Sequence, residues 1–234
     1  MVPETCVYCR ASVHPDEITV DHVIARSWFP STTPDNTEKW KVPACRSCNN
    51  KFSRDEQDLL LRLAHCADPK HPAASDIYTV ARRSIDLSRA RDARDRARRE
   101  SARRRFVGSV RDIAALPSGG VLPSFSGNYF RGSRTAIVVP ARLLNGVVEK
   151  WTRGLHFVLL GEPVRTSGTV TVLHLRPEAA KEITGVLRQS GTVHNRGPGV
   201  EVMQLSASEN GQRESIYRYL IWQQFQSFAT VTEE

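Results

Sequence analysis

"CRSCNNKFSRDE", residues 45–56, sets two cysteines three positions apart and follows them at once with two asparagines and a lysine. A second cysteine pair lies far upstream in "CVYCR", residues 6–10, and "VDHVIARS", residues 20–27, falls between the two. A three-residue step turns both thiolates toward one point, and two such steps complete the tetrahedral sulfur shell that Zn²⁺ prefers in closed structural sites. Cys6, Cys9, Cys45 and Cys48 are therefore the expected ligands of one structural zinc. With four sulfurs there is no open position for water, so this ion holds the fold and takes no part in chemistry. Cys66 has no partner at such spacing and reads as a small buried or half-buried thiol.

Around this clip the chain divides into three expected units. Residues 1–66 hold the cysteines, residues 75–115 form an arginine-rich helical arm, and residues 129–234 have the mixed pattern of a packed α+β unit. "PSGGVLPSFSGN", residues 117–128, is rich in Pro, Gly and Ser and reads as the joint between the last two. In the first unit, "EITVDHVIA" and "KWKVPAC" suggest short strands separated by a loop over residues 27–39. Ser53 and Glu56 fit a capping box for a helix whose apolar face carries Leu59, Leu60 and Leu63. In the last unit, helices are expected over 141–151 and 177–189, and strands over 155–160, 169–176, 199–205 and 214–222, with helices covering one sheet face. His156, His174 and His194 lack partners at metal spacing there and read as structural or exposed.

The 234 residues carry a formal charge of +8. Between Arg82 and Arg105 eleven arginines face four acids, a local +7, so nearly the whole excess sits in about a tenth of the chain. Such a field attracts a polyanion, and nucleic acid is the expected one. A continuous helix of roughly thirty residues there would reach about 45 Å. Arg82, Arg83, Arg91, Arg94 and Arg98 are its candidate phosphate contacts, against the plainer reading of a solvated face paired with interleaved aspartates. No stretch approaches the length of a membrane span or the pattern of a secretory signal, and unpaired thiols suit a reducing compartment, so a cytoplasmic protein is expected.

The order "CVYC", "DH", "CRSC", "NN", "K" resembles the zinc-bound form of the HNH, or ββα-metal, endonuclease family. The resemblance covers about the first 60 residues. It implies a zinc-stapled ββα-metal domain that hydrolyses DNA phosphodiesters, with RNA as the alternative substrate. In that family pattern His22 is the general base, while Asp21 and Asn49 hold a catalytic Mg²⁺ or Mn²⁺, and Asn50 leaves the second ligand open by one residue. Arg10, Arg26 and Lys51 are the phosphate contacts it suggests. Neighbouring side chains on a strand leave opposite faces, so Asp21 and His22 must sit at a strand end or bulge. The sequence departs from the pattern where the family often has an asparagine about five residues before the third cysteine: here Trp40 stands, with Asn36 nearby. Two alternatives stand beside the nuclease: a zinc-containing nucleic-acid-binding protein without catalysis, and a toxin-like or defence nuclease activated by a protein partner, or by self-association, through residues 129–234.

Overall fold

The computed structural model describes residues 4–112 and 135–234. The expected joint at 117–128 lies outside them.

The N-terminal unit opens with a ribbon of β1 (Glu4–Thr5) and β2 (Ser12–Val13) around the first cysteine knuckle. β3 (Ile18–His22) then pairs antiparallel with β4 (Lys41–Cys45), Asp21 opposite Val42 and His22 opposite Lys41. The helix α1 (Arg46–Ala64) follows β4 without a loop, because Cys45 is its N-cap and its sulfur accepts from the Cys48 amide at 3.4 Å. The capping box expected at Ser53 is therefore corrected: the helix starts already at Arg46, Ser53 lies inside it, and Glu56 is buried on its core face.

The arginine-rich segment forms two helices in place of the long one expected. α2 (Ile77–Ser84) stops at Ser84, a separate single 3₁₀ turn follows at Leu87–Arg89, and α3 (Ala93–Val107) begins afresh on Asp92, whose carboxylate accepts from the Asp95 amide at 2.7 Å. Asp86 and Asp92 compete for local backbone N–H groups, which favours caps over an unbroken helix. α2 and α3 pack on α1, through Ile77, Ala81, Ala102 and Phe106.

β5 (Val110–Asp112) pairs with β6 (Thr135–Ile137), which leads into α4 (Ala141–Leu160). The strand expected at 155–160 is thus the last part of a helix. "LHFVLL" is a short continuous apolar run that periodicity alone assigns to neither state. It sits on a helix buried from two sides, by α1 and by the sheet, and that helix stops at Gly161 in the left-handed conformation (φ 82°).

The sheet has the order β7 (Thr169–Leu173), β11 (Phe225–Glu233), β10 (Gln212–Ile221), β9 (Val200–Glu209), β8 (Thr192–Asn195), antiparallel throughout. Strand alternation sends Val202, Tyr217, Tyr219, Ala229 and Val231 toward α4, while Met203, Leu205, Ile216 and Phe228 meet Ala180, Ile183 and Leu187 of α5 (Pro177–Ser190). Helices therefore cover both sheet faces, where one was expected. The overall class is α+β, as the pattern indicated. One continuous core runs from Cys6 through α1 and α4 to Val231. Trp28 ties its two ends, edge-on to Trp151 at 4.9 Å and stacked on Trp222 at 5.6 Å, with its carbonyl accepting from the Trp222 indole at 2.8 Å.

Of the C-terminal histidines, His156 has a carboxylate partner after all, supplied by a distant strand. Fully buried on α4, it lies 3.3 Å from the Glu233 carboxylate and 3.2 Å from the Tyr217 hydroxyl. Burial holds its pKa below the ordinary histidine value, against the upward pull of Glu233, and Arg213 adds to the depression. The unfolded chain then binds the proton more readily, so stability rises with pH up to about 6.5 and is lost as pH falls below it. Chemical denaturation from pH 7.5 to 5 is expected to show this loss, and His156→Gln is expected to flatten it by up to one proton's worth, about 1.4 kcal/mol per pH unit. An unchanged slope would assign the acid lability elsewhere.

Candidate active site

The four cysteines of the two knuckles converge. Their sulfurs all lie within 4.8 Å of one another, and Cys9 and Cys45 are 3.9 Å apart. A tetrahedron with zinc–sulfur bonds of about 2.3 Å has edges of roughly 3.8 Å, so the donor set and its spacing fit a structural zinc. Among the described residues no other group of histidine, cysteine and acidic side chains meets in this way.

The clip reaches directly into the candidate site. Tyr8, inside the first knuckle, donates its hydroxyl to Asp21 Oδ2 at 2.6 Å, and the second knuckle's helix start carries Asn49, whose amide donates to Thr19 Oγ1 at 2.9 Å. Thr19 and Asp21 share a face of β3, one two-residue repeat apart, roughly 6.6 Å along the strand. The Asn49 amide is thus tied to the face of β3 that also carries Asp21, and among the described residues no hydrogen bond joins Asp21 to Asn49. Each has a side-chain oxygen, Oδ1, outside these bonds. Asp21 and His22 sit at the end of β3, as alternation requires. His22 is half-buried, and its pKa is depressed by burial first and then by Arg26 and Lys41, which keeps the imidazole neutral near pH 7.

The remaining expected residues are spread around this face. Asn50 is exposed and, with Ser47, Lys51, Arg54 and Asp55, lines a cleft of about 390 Å³ on α1. Lys51 lies over the Phe52 ring and 3.8 Å from Asp55. Arg26 is exposed, while Arg10, at φ 62°, donates to the Arg165 carbonyl and so helps to join the knuckle to the C-terminal half. Trp40 is buried and contributes its backbone carbonyl to the Val23 amide, and Asn36 is exposed in the loop. Among the described residues neither is hydrogen-bonded to His22.

Sequence reading missed the groups beneath the site. Lys150 of α4, fully buried, places its ammonium 2.9 Å from Asp21 Oδ2 and 3.0 Å from Glu56 Oε2, and donates to the carbonyls of His22 and Val23 at 2.6 and 2.9 Å. Burial pushes the Glu56 carboxyl up, while Lys150 and the Trp151 indole, donating at 2.9 Å, pull it back. The signal was present: Lys150 lies among Val147, Trp151 and Gly154 on an apolar helix face, and Glu56 among the leucines of α1.

Residues 6–55 match a family model described as HNH endonuclease. These residues form an HNH endonuclease domain. The matched span, roughly a fifth of the chain, takes in both knuckles, Asp21, His22 and Asn49, so the HNH domain coincides with the face just described. No curated protein and no solved structure matches the chain. No helix among the described residues is long and apolar enough to cross a membrane.

Proposed function

We propose that the chain is a metal-dependent endonuclease that hydrolyses DNA phosphodiesters at the HNH domain. The observation that carries this reading is the linkage of both cysteine knuckles, through Tyr8 and Asn49, to the face of β3 that bears Asp21, the residue before His22. Asp21 and Asn49 offer hard oxygens that suit Mg²⁺ or Mn²⁺. Such an ion, when bound, neutralises charge on the phosphate and the departing oxygen. His22 takes a proton from the attacking water; the new P–O bond forms as the ester P–O bond breaks, and the departing oxygen takes a proton from solvent water to leave as a hydroxyl end. Residues 1–66 carry this chemistry, 75–115 grip the backbone, and 129–234 support the site, in a reducing, cytoplasmic setting.

The grip comes from α2 and α3. Asp95 alone draws Arg91, Arg98 and Arg99, and Arg105 reaches Asp58 of α1. Arg82, Arg83, Arg94, Arg96, Arg103 and Arg104 are exposed and form no salt bridge among the described residues. They are therefore the arginines best placed to displace counterions from a phosphate backbone without reading its sequence. Arg82→Gln, Arg83→Gln and Arg94→Gln together are expected to flatten the plot of log affinity against log salt by about 0.9 for each phosphate no longer neutralised. A slope equal to that of the parent chain would place the nucleic acid elsewhere.

The reading is tested with labelled DNA and RNA, duplex and single-stranded, incubated with the zinc-loaded chain and Mg²⁺ or Mn²⁺. Metal-dependent cutting of DNA is expected. One observation favours a second reading, a zinc-containing nucleic-acid-binding protein without catalysis: Asp21 and Asn49 already have protein partners in Tyr8, Lys150 and Thr19. Tight binding with no cutting under any divalent ion selects it, and cutting only beside a co-purified protein selects a partner-activated nuclease.

A further inference from the structure

Lys150 comes from outside the HNH domain, and the mechanism above does not use it. Its ammonium has three protons and four oxygen acceptors within 3.0 Å: two carboxylates, of Asp21 and Glu56, and the carbonyls of His22 and Val23. Three of these acceptors belong to the consecutive residues 21, 22 and 23 at the end of β3, where the Val23 amide makes one further bond across to the Trp40 carbonyl. Trp151, next in sequence, donates to the Glu56 oxygen that also accepts from the Ala25 amide. One turn on, Gly154 lets α4 approach this segment closely: a Cβ there would stand 2.8 Å from Val23. α4 therefore grips residues 21–25 from beneath.

We propose that Lys150 is a positioning residue of the HNH site, its buried ammonium fixing the Asp21 carboxylate and the His22 backbone so that the C-terminal half completes the site. This rests on the nuclease reading. Two features separate it from a plain structural tie. Lys150 and Tyr8 both engage Asp21 Oδ2, which leaves Oδ1 outside these two contacts. The cluster also sets two carboxyl groups, of Asp21 and Glu56, against the single ammonium of Lys150.

The test uses the zinc-loaded full chain with Lys150→Met, and with Lys150→Met/Glu56→Gln, which removes the carboxylate that the first change strands in the core. Cleavage kinetics are read together with amide hydrogen exchange. The expected result is a fall in kcat of about 10²-fold with KM little changed, the mark of misplaced reacting groups. Exchange is expected to quicken at His22 to Ala25 and to stay slow in α1 and the sheet. A zinc-loaded variant whose kcat stays within about threefold of the parent overturns the proposal, as does one that raises KM alone. If the parent chain cuts nothing, the nuclease reading fails by itself; exchange then decides for Lys150, and unchanged protection at residues 22–25 overturns its role.

Discussion

Replacing His22 with alanine is expected to lower the rate of phosphodiester cleavage by about 10²- to 10⁴-fold, the share that a positioned proton acceptor supplies. Zinc content, melting temperature and DNA affinity should stay close to those of the parent chain. The separation follows from where the side chain sits. His22 closes β3 and is half-buried, and its backbone carbonyl, which the substitution retains, makes the bond to Lys150. Truncation thus removes an imidazole without opening the core, so a loss of rate at constant binding is a loss of chemistry. Plasmid nicking measured beside a binding titration checks this. Cleavage within about threefold of the parent would remove His22 from the role of base.

The second large effect concerns the clip itself. Cys48→Ser, or removal of zinc by a strong chelator, is expected to unfold the N-terminal unit, because zinc binding in small domains is itself folding free energy, about 10–16 kcal/mol in isolated zinc fingers. Here the packing of α1 on α4 retains part of the structure, so the loss is expected to be smaller. Even a loss of about 4 kcal/mol lowers Tm by roughly 10 °C in a chain of this size. The consequence reaches the site through two bonds. Cys45 caps α1 and so places Asn49, and Tyr8 in the first knuckle holds Asp21. Calorimetry with metal analysis tests it, and a Tm within about 2 °C of the parent after full loss of the metal would show that the sulfurs do not staple this unit.

How much of this was legible in the sequence depended on the range of the signal. The cysteine pairs, Asp21-His22 and Asn49 could be read because a short spacing fixes each motif and its order along the chain is specific. Strand β3 and strand β4 followed from alternation. The start of α1 did not, because Cys45 is a helix cap as well as a candidate zinc donor, a pairing that ordinary cap preferences do not favour over Ser53. The arginine segment was readable as helical but not as broken, since Asp86 and Asp92 act on single backbone amides. Lys150 and Glu56 are 94 positions apart, and no periodicity joins them. Each is locally a single charge on an apolar helix face, a pattern that does not name its partner, and Glu56 was read as part of a capping box.

The most direct measurement is anomalous diffraction from crystals of the zinc-loaded chain soaked in Mn²⁺. One ion is expected amid the four cysteine sulfurs, and a second within about 2.0–2.3 Å of oxygens of both Asp21 and Asn49, with the His22 imidazole facing the water or phosphate beside it. A manganese peak that touches neither residue, or an Asp21 still held by Tyr8 and Lys150 with no second ion at saturating Mn²⁺, would contradict the nuclease assignment.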